Sequence, residues 1–314
     1  MGSNSPLTLE EYATLIHLEE QFTEPEVSLE GKTELVSVLD QLLFYLLAEP
    51  PENYNGFILP EIPPSIESKR ELLYSLLTVR RPELLPVWFY TLMDSLLQHE
   101  ISARGIIEAA DFPRIDSVIR ESSYEFADRC AVWQGDITLL HIDAIVNAAN
   151  KALLGCFQPF HMCIDNAIHA AAGPQLRYDC HQIMQRQGFP EGTGWAKITR
   201  AYNLPSKFVL HTVGPIIRNG PRPVTPQEAQ SLANCYISCL DLAKQVSLRS
   251  VAFPCISTGV FGFPQDSAAH IALQTVNLWL QEHPGTMNLV VFDVFRSEDF
   301  SIYESALQEW AIDQ

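Results

Sequence analysis

Residues 146–173 read VNAANKALLGCFQPFHMCIDNAIHAAAG and place Asn147, Asn150, Cys156, His161, Cys163 and Asp165 between two pattern signals. Upstream, Ala144, Ile145 and Val146 form a short apolar run that reads as a strand end. Downstream, residues 164–172 read as a helix stopped by Gly173-Pro174. Polar chemistry therefore gathers at a strand-to-helix junction. Ligands of α/β sheets bind there, because loops vary while the strands hold them in place. Within the stretch, Cys156, His161 and Cys163 form C-x4-H-x-C. Two thiolates and an imidazole suit zinc, and three protein ligands leave one coordination position open to substrate or water. The plainer alternative is two small core cysteines and a surface histidine. Pro159-Phe160 between the donors predicts a fixed loop, not a helix.

Further out, GDIT spans residues 135–138, HTVGP residues 211–215 and ISTGVFGFP residues 256–264. Asp136 alone reads as a turn aspartate bonding local amides. Asn147 and Asn150, three residues apart on a turn, can each offer a donor and an acceptor to a sugar's hydroxyls, or simply cap the loop. Asp165 opens a helix, where its charge suits the dipole. Ser257, Thr258, Gly259, Val260 and Phe261 precede a helix, and glycines there let backbone amides converge on phosphate oxygens. His169 reads as a packed or supporting histidine and His211 as a satisfied core one. Cys130, Cys180, Cys235, Cys239 and Cys255 lack ligand spacing and read as buried thiols.

Together, and in this order, the motifs resemble the zinc-containing branch of the macrodomain family, close to the MacroD type. The resemblance covers about residues 125–312. It implies an α/β class fold, a three-layer α/β/α macrodomain with a mixed central sheet. It implies ADP-ribose as ligand: Asp136 accepting from the adenine amino group with the Ile137 amide beside it, and Phe295 packing on adenine. Residues 257–261 would hold the diphosphate, with Phe261 near the distal ribose, and Asn147 and Asn150 would hold that ribose. Asp165, assisted by Asn150, would face the distal ribose and the attacking water, and Cys156, His161 and Cys163 would hold Zn2+. MacroD-type domains without the metal carry a glycine-rich loop where this chain has GCFQPFHMC.

The implied activity is a zinc-dependent ADP-ribosylhydrolase that removes mono-ADP-ribose from modified protein side chains, Asp/Glu-linked above all. Its partners would be ADP-ribosylated protein and ADP-ribose. A noncatalytic ADP-ribose reader and an O-acetyl-ADP-ribose deacetylase are the alternatives.

Composition is consistent with this. Of 314 residues, 47% are hydrophobic and 18% charged, which is globular rather than disordered. A net charge of −18 repels phosphates over most of the surface, so nonspecific nucleic-acid or anionic-membrane binding is not expected. Seven scattered cysteines, no basic-apolar leader and no run of about 18 apolar residues point to a reducing cytoplasmic or nucleocytoplasmic setting. Gly2 partly fits an acylation signal, but Pro6 sits where Ser or Thr is expected.

Residues 1–120 read as a helical extension and 121–314 as the macrodomain. Thr8 and Glu11 make a capping box before Tyr12, Leu15, Ile16 and Leu18. Leu35, Val38, Leu39, Leu42, Leu43, Leu46 and Leu47 stripe a helix ended by Glu49-Pro50-Pro51. A second helix runs from Ser65 through Leu77 to Pro82. A third covers residues 87–100, with Trp88, Phe89, Leu92, Leu96 and Leu97 on its apolar side. Leucine stripes of this kind favour an extension packed on the catalytic domain over a separate interaction module.

Overall fold

The computed structural model describes residues 5–23, 25, 29, 31–119, 122–217 and 222–310. Gly2, residues 120 and 121 at the expected boundary, and residues 218–221 lie outside them. Six strands build the central sheet: β1 (Cys130–Gln134), β2 (Ala144–Ala148), β3 (Ala196–Arg200), β4 (Phe208–Thr212), β5 (Ser250–Phe253) and β6 (Leu289–Val294). They lie in the order β1-β6-β5-β2-β4-β3. Every neighbouring pair is parallel except β3 with β4, so the sheet is mixed and its antiparallel strand sits at one edge.

Period-two alternation within the strands feeds two cores. Cys130, Val146, Leu210, Val251 and Phe292 point to one face, where α6 (Pro226–Gln245), α7 (Gln265–Glu282) and α8 (Ser297–Gln308) cover them with Cys239, Leu273 and Tyr303. Ala131, Ile145, Val209, Ala252 and Val291 point to the other, under Ile168 of α4 (Ile164–Ala172) and Leu176 of α5 (Pro174–Gln187). Strand β6 is buried along its whole length, as expected of a parallel strand covered on both faces. The expected three-layer α/β/α arrangement with a mixed central sheet is observed. The helix after Gly173 stops at Gly188, whose φ of +75° is the left-handed conformation that glycine adopts without penalty.

The N-terminal helices make a third core of their own. Leu39, Leu42, Leu43 and Leu46 of α1 (Lys32–Ala48) meet Leu73 and Leu76 of α2 (Ile66–Val79) and Phe89, Met93 and Leu96 of α3 (Val87–Arg104). Trp88 departs from the expected stripe: it is 45% exposed and lies at the rim, where its ring meets Tyr45 at 5.4 Å and its neighbour Phe89 at 5.9 Å. The buried residues recur at 89, 93, 96 and 97, and position 88 stands about 100° off that face. Helix α3 runs past residue 100 to Arg104. The capping box at Thr8 and Glu11 forms, but Tyr12, Ile16 and Leu18 pack into the core beneath α6 and α7, and the Ile198 N–H donates to Tyr12 Oη at 2.9 Å.

Polar ties join the helical layer to the sheet domain. Asp94 of α3 accepts from Asn203 Nδ2 at 2.6 Å and from Gln175 Nε2 at 2.8 Å. Arg177 of α5 reaches the carboxyl end of α2, donating from Nη1 to the carbonyls of Leu77, Thr78 and Arg80. Among the described residues no helix is long and apolar enough to cross a membrane.

Candidate active site

The sequence-predicted site residues fall on loops at the carboxyl ends of parallel strands, and strand order sets their sequence in space. Asp136 follows β1, Phe295 follows β6, residues 257–261 follow β5, and Asn147 and Asn150 end and follow β2. These four strands are successive neighbours. Three steps of about 4.8 Å make an edge of roughly 14 Å. A flat group held at Asp136, anionic groups at 257–261 and a polyol at Asn147 would thus lie in a line.

At the first end, Asp136 caps a short turn: Oδ1 accepts from Thr138 N (3.0 Å) and Thr138 Oγ1 (2.6 Å). Its Oδ2 pairs with Arg104 of the helical layer. No local signal joins two residues 32 positions apart, and Arg104 escaped the sequence reading. Phe295 projects 69% exposed beside the end of β1, free to meet a planar group.

In the middle, Ser257 holds left-handed backbone at φ +67°. Phe263 N donates to Ser257 O and Gly262 N to Gly259 O, closing the loop on itself. Among the described residues no protein acceptor takes the N–H of Gly259, Val260 or Phe261. Three successive amides without a protein acceptor are donors open to an anion. Gly214 of HTVGP makes the loop possible, since a Cβ there would lie 2.0 Å from Ser257 Oγ.

At the far end, the two carboxamides converge on one carboxylate. Asn147 Nδ2 donates to Asp165 Oδ1 at 2.8 Å, and Asn150 Nδ2 donates to Asp165 Oδ2 at 3.2 Å and to Gly155 O at 2.9 Å. Asn150 Oδ1 accepts from Ala152 N, so this side chain also caps its loop. Asp165 is 5% exposed. Burial pushes its carboxyl up to about 6, against the downward pull of Asn147 and Arg177. His169, one helical turn on, places Nε2 3.5 Å from Asp165 Oδ1, and burial drives it well below the usual histidine range, so it stays neutral. His211 touches the site directly: its Nδ1 lies 3.2 Å from Asn147 Nδ2.

Cys156, His161 and Cys163 bring their donor atoms within 4.8 Å of one another, with Cys156 Sγ 3.5 Å from His161 Nδ1. Ligand atoms around a tetrahedral zinc stand roughly 3.5–3.8 Å apart, so the donor set fits the ion in chemistry and spacing. The loop is held by Asn166 Nδ2, which donates to Gln158 O and His161 O, and Phe160 takes the left-handed region at φ +60°. Its ring meets Tyr74 of α2 at 5.5 Å. Burial, then the neighbouring Cys156 and Asp165, raise the Cys163 thiol to about 11, and a bound cation would reverse that by favouring the thiolate. A second group, His169, Cys180 and His211, is equally close but wholly buried, and His211 Nε2 is taken by Thr199 Oγ1 at 2.9 Å. Cys180 is thus a buried thiol, as expected, yet one with ring neighbours that spacing did not reveal.

Residues 146–272 match the family model described as Macro domain. Over 266 residues the chain is 46% identical to a protein-ADP-ribose hydrolase of Treponema medium, covering 85% of this chain and 96% of the relative. It is 45% identical over 264 residues to the protein of the same description from Staphylococcus aureus strain MSSA476, covering 84% of this chain and 94% of that one. The crystal structure of the Trypanosoma brucei macrodomain in complex with ADP-ribose is similar at a TM-score of 0.56 and 31% identity, over 71% of this chain and 91% of that one. Fold, motif order and these relatives together place the chain in the macrodomain family.

Proposed function

We propose that this protein is a zinc-dependent ADP-ribosylhydrolase that removes mono-ADP-ribose from modified protein side chains, with aspartate and glutamate as the linkage residues. The observation that carries it is the buried Asp165 carboxylate, held on both oxygens by Asn147 and Asn150 and set beside the Cys156, His161 and Cys163 donors. The enzyme is a hydrolase, in line with the relatives described as protein-ADP-ribose hydrolases.

Asp136 and Phe295 take the adenine, and the free amides of residues 259–261 take the diphosphate without needing cationic side chains. That matters in a chain of net charge −18: fixed dipoles at contact distance outweigh distant, screened charge. Asn147 and Asn150 orient the distal ribose, and Asp165 accepts a hydrogen bond from the attacking water and aims it at the reacting carbon. When bound by Cys156, His161 and Cys163, zinc supplies Lewis acidity at that ribose or its attached water. A reducing cytoplasm would keep both thiols available as ligands.

The test is release of free ADP-ribose from Asp/Glu-modified protein by wild type, Cys163→Ala and metal-stripped enzyme side by side. Loss in both altered samples, with zinc restoring the stripped one, is expected. Binding of ADP-ribose without release from any linkage by metal-loaded wild type would overturn the hydrolase reading in favour of a reader. Turnover of O-acetyl-ADP-ribose alone would overturn the protein substrate.

A further inference from the structure

His211 is a strand residue with no solvent exposure and no part in the ligand contacts above. We propose that His211 is a positioning residue that fixes which way the Asn147 carboxamide faces, an inference that rests on reading Asn147 as a ribose-binding group. An ionised carboxylate only accepts hydrogen bonds, so the Asn147 group 2.8 Å from Asp165 Oδ1 is its NH2. The same nitrogen lies 3.2 Å from His211 Nδ1. An NH2 group only donates, so His211 Nδ1 accepts and carries no proton. The ring proton of the neutral imidazole then sits on Nε2 and donates to Thr199 Oγ1 at 2.9 Å.

The chain Thr199–His211–Asn147–Asp165 crosses three adjacent strands and ends on α4. Asn147 and His211 are direct cross-strand partners in register. Each link has one sense only, and together they make the flipped carboxamide unfavourable: it would press Oδ1 against both a carboxylate oxygen and an imidazole lone pair. Asn147 Oδ1 is turned away from these two, is buried, and meets no donor among the described residues. It is the acceptor left for a hydroxyl of the distal ribose. His211 acts through Asn147 and does not touch substrate.

Two substitutions separate the two ends of the ring. His211→Asn puts a carboxamide near the former Nδ1 and keeps an acceptor for Asn147. His211→Gln reaches the former Nε2, keeps a partner for Thr199 and leaves Asn147 without one. Release of ADP-ribose from modified protein is expected to fall on the order of tenfold more in His211→Gln than in His211→Asn. The ranking should hold in kcat while the two melting temperatures fall alike. Equal activities, or activities that merely track melting temperature, would overturn the proposal. Asn147→Ala, run beside them, separates the failures: no loss there overturns the reading of Asn147 itself, and the proposal with it. Wild type gives an independent check through histidine 15N chemical shifts, where His211 should be the Nε2–H tautomer and an Nδ1–H tautomer would overturn the proposal without any variant.

Discussion

Gly214→Ala should damage nucleotide binding through a loop more than forty residues away in sequence. A Cβ at 214 would sit 2.0 Å from Ser257 Oγ, 3.0 Å from Ile256 Cγ2 and 3.3 Å from Ser257 Cβ. Gly214 is not in the left-handed region, so the backbone tolerates alanine and the cost is steric. Ser257 is buried at φ +67°, and rotating its side chain removes the worst contact but not those with Ile256 and its own Cβ. Overpacking of this kind costs about 1–3 kcal/mol. Carried wholly into the shape of the 257–261 loop, that is roughly a 5- to 150-fold rise in the Kd for ADP-ribose. The assay is calorimetric titration of wild type, Gly214→Ala, Ser257→Ala and the double variant. Ser257 Oγ has no partner among the described residues, so Ser257→Ala should be nearly neutral in stability. In the double variant the 2.0 Å contact is gone, and about half or more of the lost binding energy should return as a coupling term. Strict additivity of the two substitutions would refute the steric account.

Two further expectations concern stability. Arg177→Met strips three carbonyls at the end of α2 of their shared donor and removes the guanidinium lying 5.0 Å over the Phe157 ring. A loss of about 3 kcal/mol in urea unfolding is expected, with hydrogen exchange accelerating first near residues 77–80; unchanged exchange there would refute the role. Asp179 accepts from Tyr202 Oη at 2.5 Å, and burial raises its carboxyl to about 6. A raised folded-state value means that ionisation opposes folding: the site favours the fold most below about pH 4 and loses that contribution as pH rises through 6. Asp179→Asn keeps an acceptor and removes the titration, so it should flatten stability between pH 4 and 6 and gain up to about 3 kcal/mol at pH 7. A slope equal to wild type would refute the assignment.

What could be read from the sequence was whatever is written locally. The strand signal at 144–146, the helix over 164–172 with its stop at Gly173, and the VNAAN and ISTGVFG loops stand where their local patterns place them. Cys156, His161 and Cys163 are eight positions end to end, so one loop brings them together. What the sequence withheld is long-range pairing. Arg104 on Asp136, Tyr74 on Phe160 and Arg177 on the end of α2 join the helical layer to the site across 32, 86 and about 100 positions. Nothing in a periodic leucine stripe specifies which polar side chain will meet its end. Tyr12 is the same case: an apolar-pattern residue whose hydroxyl is committed to β3 across 186 positions. His211 is the satisfied core histidine that its setting suggests, but its partners are a long-range matter too. A buried histidine in an apolar strand looks satisfied from its neighbours, and only the strand order that sets it opposite Asn147 shows what satisfies it.

The unmatched polar atoms, taken with their surroundings, favour the proposed ligand site at the carboxyl edge of this sheet over another buried polar cluster. Buried side-chain atoms without partners also occur at Ser206 and Asn277, so orphaned atoms alone select nothing. At the sheet edge they coincide with other costs. Asn147 Oδ1 and Ser257 Oγ lie in or beside loops that also hold Leu153, Phe160 and Ser257 in the left-handed region. Non-glycine residues there cost about 1–2 kcal/mol each. Strain, orphaned acceptors and free amides of residues 259–261 share one line from β1 to β2. A fold optimised only for stability would have relaxed them. On the proposed function, a single extended ligand with a polyol at one end and anionic groups in its middle would partner the orphaned acceptors and the free amides along that line.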